Sequence, residues 1–304
     1  MRTSNPKARY GAVRLSSPDL SGALASELEA FRASHPLRRT EIAGRAWTYI
    51  ASGSGAEAII ILPGAHGLAE AAFHYITALE RHYRVITPNY PAEILTLADL
   101  ADGLVGLMDH VAIRQAHVLG GSFGALVAQA LLQRHGDRVL SVMLEHALFP
   151  RRRVGVLILP LMVMARTLPT QVLRIMLRLA VAPFQWQIAR GRAFWDAYFR
   201  RVIASFSRQD ILARLSVLKD FHAHGRASLA KLKDWSGRVL VVASEPDTLM
   251  TPQDRRDFLL HYAEAEFELL SGSSHMGAVD EPERYIAVYT RFLGSSADDQ
   301  WTPV

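Results

Sequence analysis

Short aliphatic and β-branched runs alternate with helical patterns along most of this chain, and that alternation constrains its fold more than any other feature. EAIIILPG (57–64), YRVITPNY, AHVLGG, VLSVMLEHA, GRVLVVAS and AEFELLSG read as strands, with helical spacing near 69–82, 97–114, 123–135, 251–263 and 281–294. Strands separated by helices predict βαβ units and a largely parallel sheet. The continuous apolar run in EAIIILPG suits a strand covered on both faces. Ahead of these units, TEIAGRAWTYIAS turns at Gly44 and Arg45 as a hairpin of two strands. The expected fold class is α/β: a doubly wound, mostly parallel sheet with an antiparallel edge.

One connection breaks the rhythm. About ninety residues separate the strand ending near His146 from the strand beginning near Arg238, whereas such loops run about 2–6 residues. The stretch must form its own structure. Trp195, Tyr198, Phe199, Val202 and Phe206 follow the stripe of an amphipathic helix, and Arg174 and Arg178 share a helix face. The chain therefore divides into an N-terminal arm (1–38, with one candidate helix from Asp19 to Ala33), an α/β core (39–149 and 236–294), a helical cap inserted after the sixth strand (150–235) and a C-terminal tail (295–304).

Charge marks the insert as a separate unit. The whole chain carries +5, but Pro150 to Trp235 holds 16 Lys and Arg against four acids, so the remainder is net acidic. An arginine-rich solvated face is one reading of this excess. The other is a basic amphipathic lid resting on an anionic membrane, with arginines at headgroup level. No nucleic-acid-binding motif, internal repeat or low-complexity tract is present, and oligomeric state is left open.

The absence of cysteine excludes disulfide scaffolds, thiolate metal sites and a cysteine nucleophile. The basic N-terminus leads into polar residues rather than an apolar signal core, and the longest apolar run, Val154 to Ala165, is interrupted by Pro160 and is far below the roughly 20 residues of a spanning helix. The expectation is a cytoplasmic protein without a transmembrane segment.

The chemistry centres on Gly120-Gly121-Ser122-Phe123-Gly124, placed where a strand meets a helix. A G-x-S-x-G in that context makes a turn so sharp that the serine is strained and its hydroxyl exposed, with the glycines removing side chains that would collide. Ser122 is the nucleophile candidate. The plain alternative is a glycine-rich turn with an incidental serine. A serine hydroxyl needs a base and a residue that orients the base. Asp247 follows one later strand and His275 the next, at the carboxyl ends where catalytic groups collect in open α/β sheets. Glu245 and Glu145 are alternative acids. His66, His146 and Trp195 are candidate substrate-binding residues. The two amides of an oxyanion hole are expected at Phe123, at the helix start, and at Ala65, in the glycine-bearing LPGAHG loop.

These marks resemble the α/β-hydrolase superfamily from about Thr40 to Leu293. The Leu62 to Gly67 loop, GGSFG, Asp247, His275 and a helical insert at the lid position all match. The resemblance implies a serine hydrolase of carboxylesterase type with Ser122, Asp247 and His275 as its triad and no metal or cofactor. Ser274 stands where the superfamily often has glycine, and the triple glycine of some lipases is missing. The run HGLAEAAFHYITALERHYRVITPNYP is also similar to maspardin-like proteins, whose site is degenerate, although the histidine and acid positions are filled here. Apolar residues of the insert (among them Leu157, Ile158, Leu161, Met162, Met164, Met176, Phe184, Trp186, Phe194 and Trp195) are expected either to roof a pocket for a small hydrophobic acyl substrate or to form ordinary core. An inactive binding or adaptor protein on the same fold is the competing function.

Overall fold

A computed structural model describes residues 20–229, 235–245, 247, 249–262 and 264–294. The first half of the N-terminal arm (1–19) and the whole C-terminal tail (295–304) lie outside them. Among the described residues eight strands form one sheet in the order β1-β2-β4-β3-β5-β6-β7-β8, with β1 (Arg38–Ile42), β2 (Arg45–Ser52), β3 (Ala58–Leu62), β4 (Arg84–Asn89), β5 (Ala116–Gly121), β6 (Val139–Glu145), β7 (Arg238–Ser244) and β8 (Glu266–Leu270). The hairpin partners β1 and β2 run antiparallel, as do β2 and β4. Every other pair is parallel.

Helices cover both faces, which is why β3 is apolar at every position. Ile60 and Leu62 face one core with α3 (Leu97–His110) and α4 (Phe123–Arg134). Ile59 and Ile61 face the other, with α1 (Ser21–Ser34), α2 (Phe73–Leu79) and the helix Pro282–Gly294. Two helices are shorter than their apolar spacing suggests. Residues 69–72 form a 3-10 turn before α2, and α3 stops at His110 because the chain turns through Ala112 at φ 55°. Cap chemistry fixes other boundaries: Thr96 accepts from the Asp99 amide at the start of α3, and Thr251 with Asp254 forms a reciprocal capping box at α9 (Pro252–His261).

Between β6 and β7 the described residues hold four helices, α5 (Arg152–Thr167), α6 (Thr170–Gln185), α7 (Arg192–Ser205) and α8 (Arg208–Leu229). Helix α5 continues through Pro160 rather than breaking there. Gly155, Ile158, Met162 and Ala165 are its buried face, and Gly155 lies against α8 at His222. Arg151 ties the start of the insert to the core through a 2.6 Å ion pair with Asp254. Among the described residues no helix is long and apolar enough to cross a membrane.

Register brings five strand ends together. Leu62 lies beside Gly120, Gly121 beside Glu145, Glu145 beside Val242, and Ser244 beside Leu270. The loops that leave β3, β5, β6, β7 and β8 therefore open at one edge of the sheet.

Candidate active site

Ser122 occupies the turn between β5 and α4 at φ 53° and ψ −115°. A non-glycine residue there is strained, and such strain persists only where the surroundings enforce it. They do: the Ser122 amide donates to the Glu145 carbonyl at 2.8 Å, and the neighbouring glycines let strand and helix come within touching distance. A Cβ on Gly124 would lie 2.0 Å from the Leu62 carbonyl oxygen, and one on Gly120 would lie 2.4 Å from the Gly124 carbonyl oxygen. Both obstacles are backbone, so neither yields. Gly124→Ala is accordingly expected to cost about 3 kcal/mol or more of stability, since overpacking a rigid contact costs about 1–3 kcal/mol and here the helix must shift. Urea denaturation checks this; an unchanged midpoint would contradict the close approach.

Around this serine the side chains form a continuous hydrogen-bonded series. His275 places Nε2 3.1 Å from the Ser122 Oγ and Nδ1 3.1 and 3.2 Å from the two Asp247 oxygens. A carboxylate only accepts, so in the neutral ring Nδ1 carries the proton and Nε2 is free to accept from the serine hydroxyl. Asp247 also accepts from the Leu249 amide at 2.8 Å and from a second imidazole, His146 Nδ1, at 2.9 Å. Its side chain is fully buried. Burial pushes the Asp247 carboxyl up, but the hydrogen bonds from His146 and His275 and the charge of both rings outweigh it, holding it well below the usual carboxylate range.

His146 does not line the cavity in front of Ser122, contrary to the expectation that it binds substrate. It sits behind Asp247 at φ 47°, with Nε2 3.1 Å from the Tyr285 hydroxyl. That hydroxyl is in turn 3.1 Å from Ser244 Oγ and 2.9 Å from Ser273 Oγ, and burial pushes it up to about 12. Of the alternative acids, Glu245 is exposed. Glu145 lines the cavity and accepts from the Tyr289 hydroxyl, and its buried carboxyl is pushed above the usual range chiefly by desolvation. Among the described residues, His146, Asp247 and His275 also form a group of metal-type ligands whose atoms lie within 4.8 Å of one another, but the ring Nδ1 atoms that face the carboxylate are occupied by hydrogen bonds to it.

The cavity in front of the serine has a volume of about 410 Å³ and a mostly apolar wall. Ala65 and His66 line it from the β3 loop, whose shape is held by the Tyr90 hydroxyl donating to the Pro63 carbonyl and by the Tyr90 amide donating to Gly67. His66 Nδ1 accepts from the Leu68 amide at 3.1 Å. Burial, with the Arg214 charge adding to it, pushes the ring down to about 4, so His66 is neutral at pH 7 with its proton on Nε2. Phe123 opens α4, where the first N–H groups of a helix have no intrahelical acceptor. From the insert come Phe184, Trp195 and the guanidinium of Arg214. Arg214 donates to the Ala65 carbonyl at 3.2 Å and lies over the rings of Tyr90 and Phe123.

Of the apolar insert residues expected as roof or core, Phe184 and Trp195 line the cavity, while Ile158 and Met162 are buried core and Leu157, Leu161 and Trp186 are exposed. The reason is the packing of α5 on α8, which leaves the opposite face of α5 uncovered. Tyr285 and Arg214 had no motif to distinguish them from the chain's other tyrosines and arginines.

A serine on a strained strand-to-helix turn, facing imidazole and carboxylate at the carboxyl ends of a doubly wound sheet, defines the α/β-hydrolase class of protein. The family model described as alpha/beta hydrolase family matches residues 59–288, and the chain belongs to that family. It is 26% identical over 266 residues to the Caulobacter vibrioides protein named carbamate hydrolase RutD, covering 83% of this chain and 91% of that one. It is 33% identical to Danio rerio maspardin over 105 residues, one third of each chain. The enol-lactonase from Burkholderia xenovorans superposes with a TM-score of 0.69 at 22% identity, covering 84% of this chain and 100% of the other, and so shares the fold.

Proposed function

We propose that this protein is a serine hydrolase of carboxylesterase type, cleaving an ester or thioester of a hydrophobic substrate through an acyl-enzyme on Ser122. The observation that carries this reading is the 3.1 Å contact of His275 Nε2 with the Ser122 hydroxyl while Nδ1 of the same ring is held by a buried carboxylate. His275 takes the hydroxyl proton as Ser122 Oγ attacks the carbonyl. The tetrahedral oxyanion is received by the amides of Ala65 and Phe123, and His275 returns the proton to the leaving group. Water then attacks the acyl-enzyme, with His275 again the base. Asp247 holds the tautomer and stabilises the imidazolium. None of these steps draws on a metal or cofactor.

The apolar wall of the cavity supports an acyl or alcohol part of hydrocarbon character, and Trp195 and His66 are the residues proposed to contact it. A volume of about 410 Å³ is in the range of small-molecule sites and favours short and medium chains. A series of p-nitrophenyl esters tests this directly: kcat/KM is expected to rise from acetyl to a medium acyl length and fall beyond it. A profile that is flat, or no turnover of any member, contradicts the substrate class. The similarity to maspardin gives the adaptor reading its footing, but it covers one third of the chain, and the complete hydroxyl, imidazole and carboxylate geometry favours catalysis.

A further inference from the structure

We propose that the exposed faces of α5 and α6 form a docking surface for an anionic lipid bilayer. Eight of the fifteen large apolar residues exposed among the described residues lie on these two helices, Val156, Leu157, Leu159, Leu161 and Val163 on α5 and Val172, Ile175 and Leu179 on α6, and Trp186 follows directly after α6. Leu157 and Leu179 are each 70% exposed. A soluble chain scatters such residues singly; grouped on adjacent helices they mark a surface that something covers.

Charge selects what covers it. From His146 to Trp195 the chain holds eight arginines and no acidic residue. Arg151 and Arg190 pair with core carboxylates, and Arg174 and Arg192 donate to backbone carbonyls. Arg152, Arg153, Arg166 and Arg178 are exposed and make no hydrogen bond or ion pair among the described residues. A second copy of the chain would oppose these cations with the same cations, since a two-fold interface brings one patch onto itself. Apolar side chains beside free guanidinium groups match the boundary between acyl chains and anionic headgroups, where each basic residue contributes to attraction.

The arrangement of α6 gives docking a consequence for the cavity. Leu177, Val181 and Phe184 point into the cavity, while Val172, Ile175 and Leu179 point outward. One helix would then separate bilayer from cavity. The docking surface is independent of the catalytic reading, because none of the residues just named on the outer face touches Ser122, His275 or Asp247.

Sedimentation of the full chain with vesicles tests the proposal. Partition into phosphatidylglycerol-rich vesicles is expected to exceed partition into pure phosphatidylcholine vesicles by about a hundredfold at low salt, from four free arginines, and to fall as salt is raised. Leu157→Glu with Leu179→Glu is expected to lower binding at least tenfold, with an unchanged circular dichroism melt showing that the fold is intact. Arg152→Glu with Arg153→Glu supplies a second variant acting on charge alone. Equal partition to both vesicles, or binding to neither, overturns the proposal. So does a dimer in light scattering that dissociates in the Leu157→Glu, Leu179→Glu variant, which would assign this face to a second copy. Ser122→Ala is expected to bind vesicles like the parent chain, so loss of catalysis and loss of docking read out separately.

Discussion

Replacing Ser122 with alanine is expected to remove turnover of p-nitrophenyl esters, lowering kcat by about 10⁶-fold, the scale seen when a nucleophile that works with a base as a unit is deleted. The effect belongs to chemistry rather than stability. The strained backbone at φ 53° is held by the hydrogen bond that the Ser122 amide donates to the Glu145 carbonyl and by the glycines around it, none of which involves the hydroxyl. Alanine keeps Cβ and loses only the atom that His275 faces. A melting temperature within a degree or two of the parent, together with lost activity, is the expected pair of results. Retained activity would show that another group attacks.

Asp247→Asn is expected to lower kcat by about 10⁴-fold, the scale of the corresponding change in a serine protease, where the wrong imidazole tautomer results. Here the cause is specific. The carboxylate accepts from His275, His146 and the Leu249 amide at once. An asparagine offers one carbonyl oxygen and presents N–H to the remaining partners, so an imidazole facing the amide nitrogen must move its own proton to Nε2. In His275 that proton would then point at Ser122, and the base would be lost. Stability changes with it. Because the folded carboxyl is held below its ordinary value, its ionised form contributes stability above the unfolded-state pKa of about 3.9, and that contribution is lost as pH falls below it. The stability gap between parent and Asp247→Asn, measured by urea denaturation, is therefore expected to be wide at pH 7 and to shrink in acid. A gap that grows in acid would mean that Asp247 is buried protonated.

Much of this site could be read from local pattern. Strand β3 is apolar throughout because helices cover both of its faces, and Gly120, Gly124 and Ser122 announce a tight strand-to-helix turn by residue type alone. Asp247 and His275 were legible as positions, since parallel strands put their carboxyl ends at one edge. What local pattern does not carry is direction. His146 follows β6 as a pocket residue would, yet its φ of 47° turns the ring behind Asp247, toward a tyrosine 139 residues later in the chain. Leu157 and Trp186 belong to the apolar set that suggested a pocket roof, yet α5 meets α8 along Gly155, Ile158 and Met162 and leaves its other side bare. Both outcomes depend on which distant element arrives on which face. Arg214 shows the same limit: among many arginines of the insert, only the placement of α8 over the Ala65 loop sets it apart.

Reaction of the folded protein with a fluorophosphonate, followed by peptide mass spectrometry, probes the central claim most directly, because only a serine whose proton is drawn by a base adds to phosphorus. The expected result is one adduct, on Ser122, formed rapidly in the parent chain and absent from both Ser122→Ala and His275→Ala. Folded parent protein that stays unlabelled at Ser122, or that labels equally well without His275, would contradict it.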